Sequence, residues 1–408
     1  MKYTSLGFHT FKIFTRLTYQ EAKRIYHAFD KLVKLEEVDI IPYGEVPTLR
    51  FDNGKAVVGS KPLGFNVNYR TLKTGVRKGI SWTLRFSNQS PDFKEYTLEA
   101  QINPKILAGI IDYITAATED DMNAIPDLFN HEAKRISDAI PMFSRYKLKR
   151  IDYCINFHLG ELGIPCTADQ MIKLIKRGNI PHNYKEELFY DKTSRRYKSD
   201  DLSFYLKSNS TVIQCYDKHD QLKEKHPDNP SIDFAKNIIR FEVQCNYMKV
   251  YSMRRNLKKA PKGYPYNEFK EFFSPKVCET IIRRYFDRVV MRGDYYPIKH
   301  SRNLINERGF RGNLGQRMIA TLNAVNPSRG GGGVHKVKAF LKEFGIDPYD
   351  FKRGLLELQI HMGINPVAIP GDWGIMHIPN LMDAYDKLKG IPLRDKSDIM
   401  CSPFDSEF

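Results

Sequence analysis

Apolar and polar residues alternate in "YTSLGFHTFKIF" (residues 3–14), the period of a half-buried strand. The period then lengthens. In "TYQEAKRIYHAFDKLVKL", Ala22, Ile25, Tyr26, Phe29, Leu32 and Val33 recur at helical spacing, and Thr18 three residues before Glu21 marks a capping box. Residues 38–103 predict a β meander with turns at Asp52-Asn53-Gly54 and Lys61-Pro62. Helices are expected over "PKILAGIIDYITAA" (104–117), opened by proline, and over "MNAIPDLFNHEAKRISDAI". The scheme then restarts. "YKLKRIDYCINFHL" is a strand and "TADQMIKLIKRG" a helix; strands follow near 186–191, 202–207 and 211–218, and another over "NIIRFEVQCNYMKVY". Strand–helix followed by antiparallel strands, twice over, predicts an α+β fold with a duplicated strand–helix–strands unit, without a repeat in the sequence itself. Helical patterns dominate beyond about residue 250. The expected organisation is an α+β domain over 1–250 and a mainly helical region over 251–408. The boundary falls at 250–265, where "MRRNLKKAPKG" breaks at Pro261 and Gly263. A flexible break is expected near 326–335, at glycines 330–333.

Strand alternation assigns faces. In "RIDYCINF", Ile151, Tyr153, Ile155 and Phe157 lie opposite Arg150, Asp152, Cys154 and Asn156. In "IIRFEVQCNY", Ile239, Phe241, Val243, Cys245 and Tyr247 lie opposite Arg240, Glu242, Gln244 and Asn246. A third carboxylate, Glu99 in "EYTLEAQINPKIL", opposes Leu98, Ala100 and Ile102. In "TVIQCYDKHDQL", Tyr216 and Lys218 share a face if the strand stays regular to 218, and Asp217 faces away. Were these strands neighbours, Glu99, Asp152 and Glu242 would converge beside Tyr216. Three carboxylates suit a hard cation, Mg²⁺ or Mn²⁺, which would polarise a phosphate. Tyr216 would attack phosphorus, and Lys218 would favour the phenolate. His219 could steer a proton or touch the backbone. The plainer reading keeps the Arg-x-Asp and Arg-x-Glu pairs as salt bridges and Tyr216 as one of 23 ordinary tyrosines.

Charge sharpens this picture. Lys plus Arg number 64 against 48 Asp plus Glu, a net charge of +16, which favours a polyanionic partner such as nucleic acid. The cysteines form no CxxC pair or zinc spacing, which points to a reducing compartment and argues against a disulfide framework or a zinc finger. No signal-peptide pattern or membrane-length apolar run occurs, so a soluble, intracellular protein is expected, with no membrane partner.

Four blocks, in order, resemble the gene II protein family of filamentous phages, rolling-circle replication initiators. They are "LEAQINPKIL", "RIDYCINF", "CYDKHDQL" and "IIRFEVQCNYMKVY", spanning about 95–251. The resemblance implies a nickase core that lacks the His-hydrophobe-His metal motif of many rolling-circle nickases; no His-x-His occurs among the 11 histidines. It implies Tyr216 as nucleophile with Lys218 and His219 beside it, and Glu99, Asp152 and Glu242 as ligands of Mg²⁺ or Mn²⁺. Asp217 departs from the family's apolar residue. The expected activity is nicking of one origin strand through a 5′-phosphotyrosyl bond, leaving a 3′-OH primer, followed by rejoining. A conjugative relaxase and a DNA-binding protein without catalysis are the alternatives. No Walker loop is present, so a helicase as well as a polymerase would be host partners. Arg150, Arg240, Arg254, Arg255, Lys258 and Lys259 are candidate DNA contacts, as are Arg283, Arg284, Arg288 and Arg292. Tyr205 is a candidate second nucleophile or an edge tyrosine. "HKVKAFLKEFGIDPYDFKRGLLELQIH" predicts two helices around "GIDP", either a DNA reader or a plain helical hairpin. "GDYYP" (293–297) has no assigned role.

Overall fold

The computed structural model describes residues 3–34, 38–52, 55–70, 77–90, 93–191, 196–198, 203–257, 268–327, 332–341, 343 and 345–392. The fold is α+β, with all the named antiparallel strands before residue 246 and mainly helices after it. The first half runs β1 (Ser5–Leu17), α1 (Tyr19–Lys34), β2 (Val38–Asp52), β3 (Lys55–Arg70), β4 (Arg77–Ser90), β5 (Phe93–Ile102), α2 (Pro104–Leu107) and α3 (Glu119–Ile136). The second runs β6 (Lys147–His158), α4 (Ala168–Lys176), β7 (Lys185–Glu186), β8 (Phe189–Asp191), β9 (Arg196–Lys198), β10 (Ser203–Lys207), β11 (Thr211–Asp217), α5 (Lys218–Lys225) and β12 (Ile238–Cys245). Helices α6 (Tyr247–Leu257), α7 (Glu268–Phe272), α8 (Pro275–Val289), α9 (Ile298–Glu307), α10 (Leu314–Val325), α11 (Val334–Phe340), α12 (Pro348–Glu357) and α13 (Leu381–Lys389) complete the chain.

Two compact units form. A meander unit takes Gly7–Tyr153 and Gln244–Cys278, and a tyrosine unit takes Met1–Leu6, Cys154–Val243 and Glu279–Phe408. The strand order is β2-β3-β4-β5-β1-β6 in the meander unit, which holds β6 up to Tyr153, and β6-β12-β11-β10-β7 in the tyrosine unit, which holds β6 from Cys154. In each, the first strand of its half lies beside the last, and earlier strands follow outward. That shared order is the duplicated unit expected from the sequence.

In the meander unit, Phe11, Ile13, Trp82, Leu84, Leu98, Ala100 and Ile102 form one buried sheet face. Ile25 and Phe29 of α1 are buried too, and Phe129 of α3 meets Trp82 with ring centroids 5.2 Å apart. The capping box of α1 is present: the Thr18 backbone donates to Glu21 (2.7 Å) and the Glu21 backbone to Thr18 (3.2 Å). In the tyrosine unit, Phe286 of α8 packs on Phe157 and Phe241 at 5.6 and 5.3 Å. Arg177, after α4, donates to Asn326 (2.7 Å) and to the carbonyl of Ala368 (3.0 Å), tying the strand–helix segment to the C-terminal helices.

The structure corrects two expected elements. The helix over 104–117 stops at Leu107, because Gly109 takes φ +86° and the Asp112 carboxylate turns the chain by accepting from the Ile114 and Thr115 backbones. Ala117 then bridges to Phe8. The strand over 237–251 stops at Cys245, and Tyr247 opens a helix in which Val250 is the buried residue.

"GDYYP" acquires a structural role. Gly293 has φ +91°, and a Cβ there would lie 2.6 Å from the carbonyl carbon of Ile364. Asp294 accepts from the Asn380 backbone at 2.8 Å, Tyr295 is buried and exchanges backbone bonds with Ile378, and Pro297 stands at the start of α9. The segment holds three distant stretches of chain together.

Candidate active site

Tyr216 lies near the end of β11, and Glu242 lies on the adjacent β12. The Tyr216 hydroxyl donates to Glu242 Oε1 at 2.7 Å. The same oxygen is 3.7 Å from Arg240 Nη1, and Arg240 Nε donates to Asn156 Oδ1 of β6 at 2.7 Å. Tyr216 is 4% exposed, Glu242 5%, Lys218 1% and Arg240 0%. This is a buried polar cluster, where each interaction is stronger than in water and each lost partner costs more.

Lys218 reaches the cluster by another route than a regular strand. β11 ends at Asp217 and Lys218 is the first residue of α5. The turn places Lys218 Nζ 5.7 Å from the centre of the Tyr216 ring, and the ammonium donates to Gln221 Oε1 at 2.6 Å. Asp217 supplies that turn: its carboxylate caps α5 by accepting from the His219 backbone at 2.8 Å. The residue that departs from the family is a helix cap. His219 points to Asp220, with 3.0 Å between Nδ1 and Oδ1. The ring is thus directed to its neighbour in sequence rather than to the phenol.

Burial, followed by the Glu242 charge, pushes the Tyr216 phenol well above its usual range, while Arg240 pulls the other way. Burial, followed by the like charge of Arg240, pushes the Lys218 ammonium well below its usual range, against Glu242. The phenol is therefore protonated at rest, with a carboxylate already placed to take its proton. Two basic side chains stand beside it, the arrangement that stabilises developing negative charge.

The other two carboxylates lie in the meander unit and are engaged there. Glu99 is ion-paired with Lys149 and with Arg85, the latter at 3.1 Å. Asp152 accepts from Thr10 and from Arg150, the latter at 2.8 Å. No group of three or more His, Cys, Asp or Glu that could hold a metal forms among the described residues. As donor sets, Glu99 and Asp152 sit among cations, and Glu242 is held by a phenol and a guanidinium. These residues, so arranged, do not fit a three-carboxylate centre.

Of the expected DNA contacts, Arg240 is wholly buried against Asn156 and Glu242, so it is no surface phosphate contact. Arg150 pairs with Asp152, Arg254 donates to the Leu148 carbonyl at 3.0 Å, and Arg255 is exposed. Lys258 and Lys259 lie outside the described residues. Arg283 is bound to Glu279 and Asp386, and Arg292 to Asp287. Tyr205 is half-buried on β10 and pairs with Gln214, two residues along the ladder from the Ser203–Tyr216 pair. Asn156 and Gln221, which orient Arg240 and Lys218, had no assigned role; Gln221 stands three residues from Lys218, a spacing that brings side chains together only on a helix.

With this geometry in view, residues 104–262 match a family model for the N-terminal part of a replication-associated protein, the gene II protein. The chain resembles the gene II replication proteins. The matched segment contains Asp152, Tyr216, Lys218, His219, Arg240 and Glu242, and begins after Glu99. A solved rolling-circle replication initiator protein from Geobacillus stearothermophilus aligns at 9% identity and TM-score 0.26, over 67% of this chain and 97% of that one, a distant likeness. No curated protein matches.

Proposed function

We propose that this chain is a rolling-circle replication initiator that nicks one origin strand through Tyr216. The hydrogen bond from Tyr216 to Glu242, inside the segment similar to the gene II protein, carries the reading. Glu242 takes the phenolic proton as the phenolate oxygen attacks phosphorus. The P–O3′ bond breaks, a P–O(Tyr) bond forms, and the 3′-oxygen leaves as a hydroxyl after gaining a proton. Rejoining is the reverse attack by a 3′-OH, and no nucleotide is consumed because one phosphodiester replaces another. Lys218 and Arg240 stabilise the phenolate. Because Tyr216 is 4% exposed, its cover must move before a phosphate arrives. A requirement for Mg²⁺ or Mn²⁺ belongs to the proposal through the resemblance, and no step is assigned to the ion. The work is done on cytoplasmic DNA of a bacterial host, with a host helicase and polymerase.

The test is incubation with supercoiled DNA carrying the cognate origin, with Mg²⁺ or EDTA, beside Tyr216→Phe. A covalent protein–DNA adduct on denaturing gels, absent with Tyr216→Phe and with EDTA, is expected. Nicking indifferent to both removes the assignment. The same burial favours a second reading, a DNA-binding protein in which Tyr216 is a core residue. Under it, origin binding persists and no adduct forms.

A further inference from the structure

Helix α6 leaves Tyr247, Met248 and Tyr251 exposed at 43, 60 and 50%. Three large apolar side chains on one short helix are unusual on a protein surface without a partner. The two tyrosine rings stack, centroids 6.4 Å apart and planes at 30°. Tyr247 also meets Phe14 of β1 edge-on at 6.2 Å. That contact joins the helix to the face of the meander sheet opposite its core. On β1, Phe11 and Ile13 point into the core, whereas Lys12, Phe14 and Arg16 alternate onto the other side.

This second face is cationic. Register places Arg85 of β4 opposite Thr97, and Lys12 and Phe14 of β1 opposite Gln101 and Glu99 of β5. Lys149 and Arg150 of β6 join them, since Lys149 and Arg85 both pair with Glu99 and Arg150 bonds to Thr10 of β1 at 3.0 Å. Lys12, Arg16, Arg85, Lys149 and Arg150 outnumber the described carboxylates among them, Glu95, Glu99 and Asp152. Burial and then the charge of Arg150 push the Lys12 ammonium down, a mark of crowded positive charge. Arg254 anchors the helix to Leu148 of β6, and Arg255 adds an exposed cation beyond it.

We infer that the outer face of the β4–β5–β1–β6 sheet, with Phe14, Tyr247 and Tyr251, binds single-stranded DNA. Bases stack on the rings, and phosphates lie along Lys12, Arg85 and Lys149. Cations interleaved with exposed aromatic rings suit unpaired bases, whose faces a duplex would keep stacked on one another. Glu99 spaces the cations rather than holding a metal. The proposal rests on the reading of the chain as acting on DNA, and concerns a surface apart from Tyr216.

The test uses the full chain carrying Tyr216→Phe and a fluorescein-labelled oligothymidine of about 20 nucleotides, a length that spans more than one stacking site. Binding is read by anisotropy, so that it is measured without nicking. Tyr247→Ala with Tyr251→Ala should weaken binding at least about tenfold. The Tyr247→Phe, Tyr251→Phe pair keeps the rings and should bind within about twofold of the parent. Arg85→Gln should lower the slope of log affinity against log salt by about 0.7, while the alanine pair leaves that slope unchanged. Unlabelled single strand should compete better than duplex of equal length. Alanine variants that fold and bind within twofold of the parent overturn the surface, as does equal competition by duplex. Adduct formation by the Tyr216 protein is scored separately: its absence, with the ring effect intact, refutes the nickase reading and supports this surface.

Discussion

Glu242→Gln separates proton transfer from hydrogen bonding. Glutamine has nearly the shape of glutamate and its Oε1 can still accept from Tyr216, which now sits 2.7 Å from the carboxylate. It cannot take the proton. A general base contributes about 10²–10⁴-fold, or about 3–5 kcal/mol of barrier. The substitution also removes negative charge beside a wholly buried Arg240, 3.7 Å away. Leaving a buried cation without its carboxylate costs about 3–5 kcal/mol of stability at most, and the bond from Arg240 to Asn156 lowers that figure. Rate and stability must therefore be measured on the same preparation.

The assay is single-turnover adduct formation on an oligonucleotide carrying the nick site, resolved on denaturing gels, with thermal unfolding in parallel. The expected result is a folded protein whose adduct rate falls at least about 10²-fold at unchanged oligonucleotide affinity. Adduct formation within threefold of the parent would show that the proton goes elsewhere. A loss that excess Mn²⁺ reverses would also refute the reasoning, because Glu242 would then be acting as a cation ligand.

Three further outcomes follow from the geometry. Asp217→Ala removes the cap of α5 and should cost about 1 kcal/mol in thermal unfolding, whereas Asp217→Asn, also a good cap, should stay within a few tenths; equal losses would refute the capping role. Gly293→Ala meets φ +91° and a backbone carbon at 2.6 Å, and should cost about 2 kcal/mol or more; a neutral effect would show that the 293–297 staple is slack. Burial, followed by Lys352, holds the Lys338 ammonium down to about 8 beside Asn179. Its unfolded form binds the proton up to about 10.4, so the unfolded state holds more protons across that window and stability rises with pH from about 8. The wild type should gain up to about 3 kcal/mol on Lys338→Met between about pH 8 and 10, and parallel curves would refute the shift.

The sequence announced what depends on neighbours along the chain. The capping box of Thr18 and Glu21 and the two sheet halves rest on spacing and alternation, and the structure contains them. Tyr216 is singled out by the resemblance and Glu242 is expected as a metal ligand; their hydrogen bond is what the structure adds. It misled where a local cue was overruled nearby. Proline at 104 opens a helix, yet Gly109 and Asp112 end it within two turns. Tyr247 continues the alternation of β12, yet the chain coils there and the ring turns outward. Alternation also separates the faces of a strand without saying what covers them. Arg240 and Glu242 were legible as a polar face, but both faces of β12 are buried, and that is set by contacts distant in sequence.

The shared strand order gives those burial differences a meaning. Glu99 and Glu242 occupy corresponding strands: each lies on the last strand of its half, between the first and the penultimate. Beside Glu242 the penultimate strand offers Tyr216, and the carboxylate has a proton to take. Beside Glu99 the penultimate strand offers Thr83 and Arg85, and the carboxylate is neutralised by cations whose ends reach solvent. One topology thus presents a glutamate in two settings. Where a phenol faces it under cover, the glutamate can serve covalent chemistry on a phosphate. Where part-exposed cations cover it, with Phe14 and the α6 tyrosines alongside, it serves a strand-binding face. The two halves are then expected to fail independently, so that losing Tyr247 and Tyr251 weakens strand capture at an unchanged single-turnover rate on saturating DNA. The Glu242→Gln protein should show the reverse.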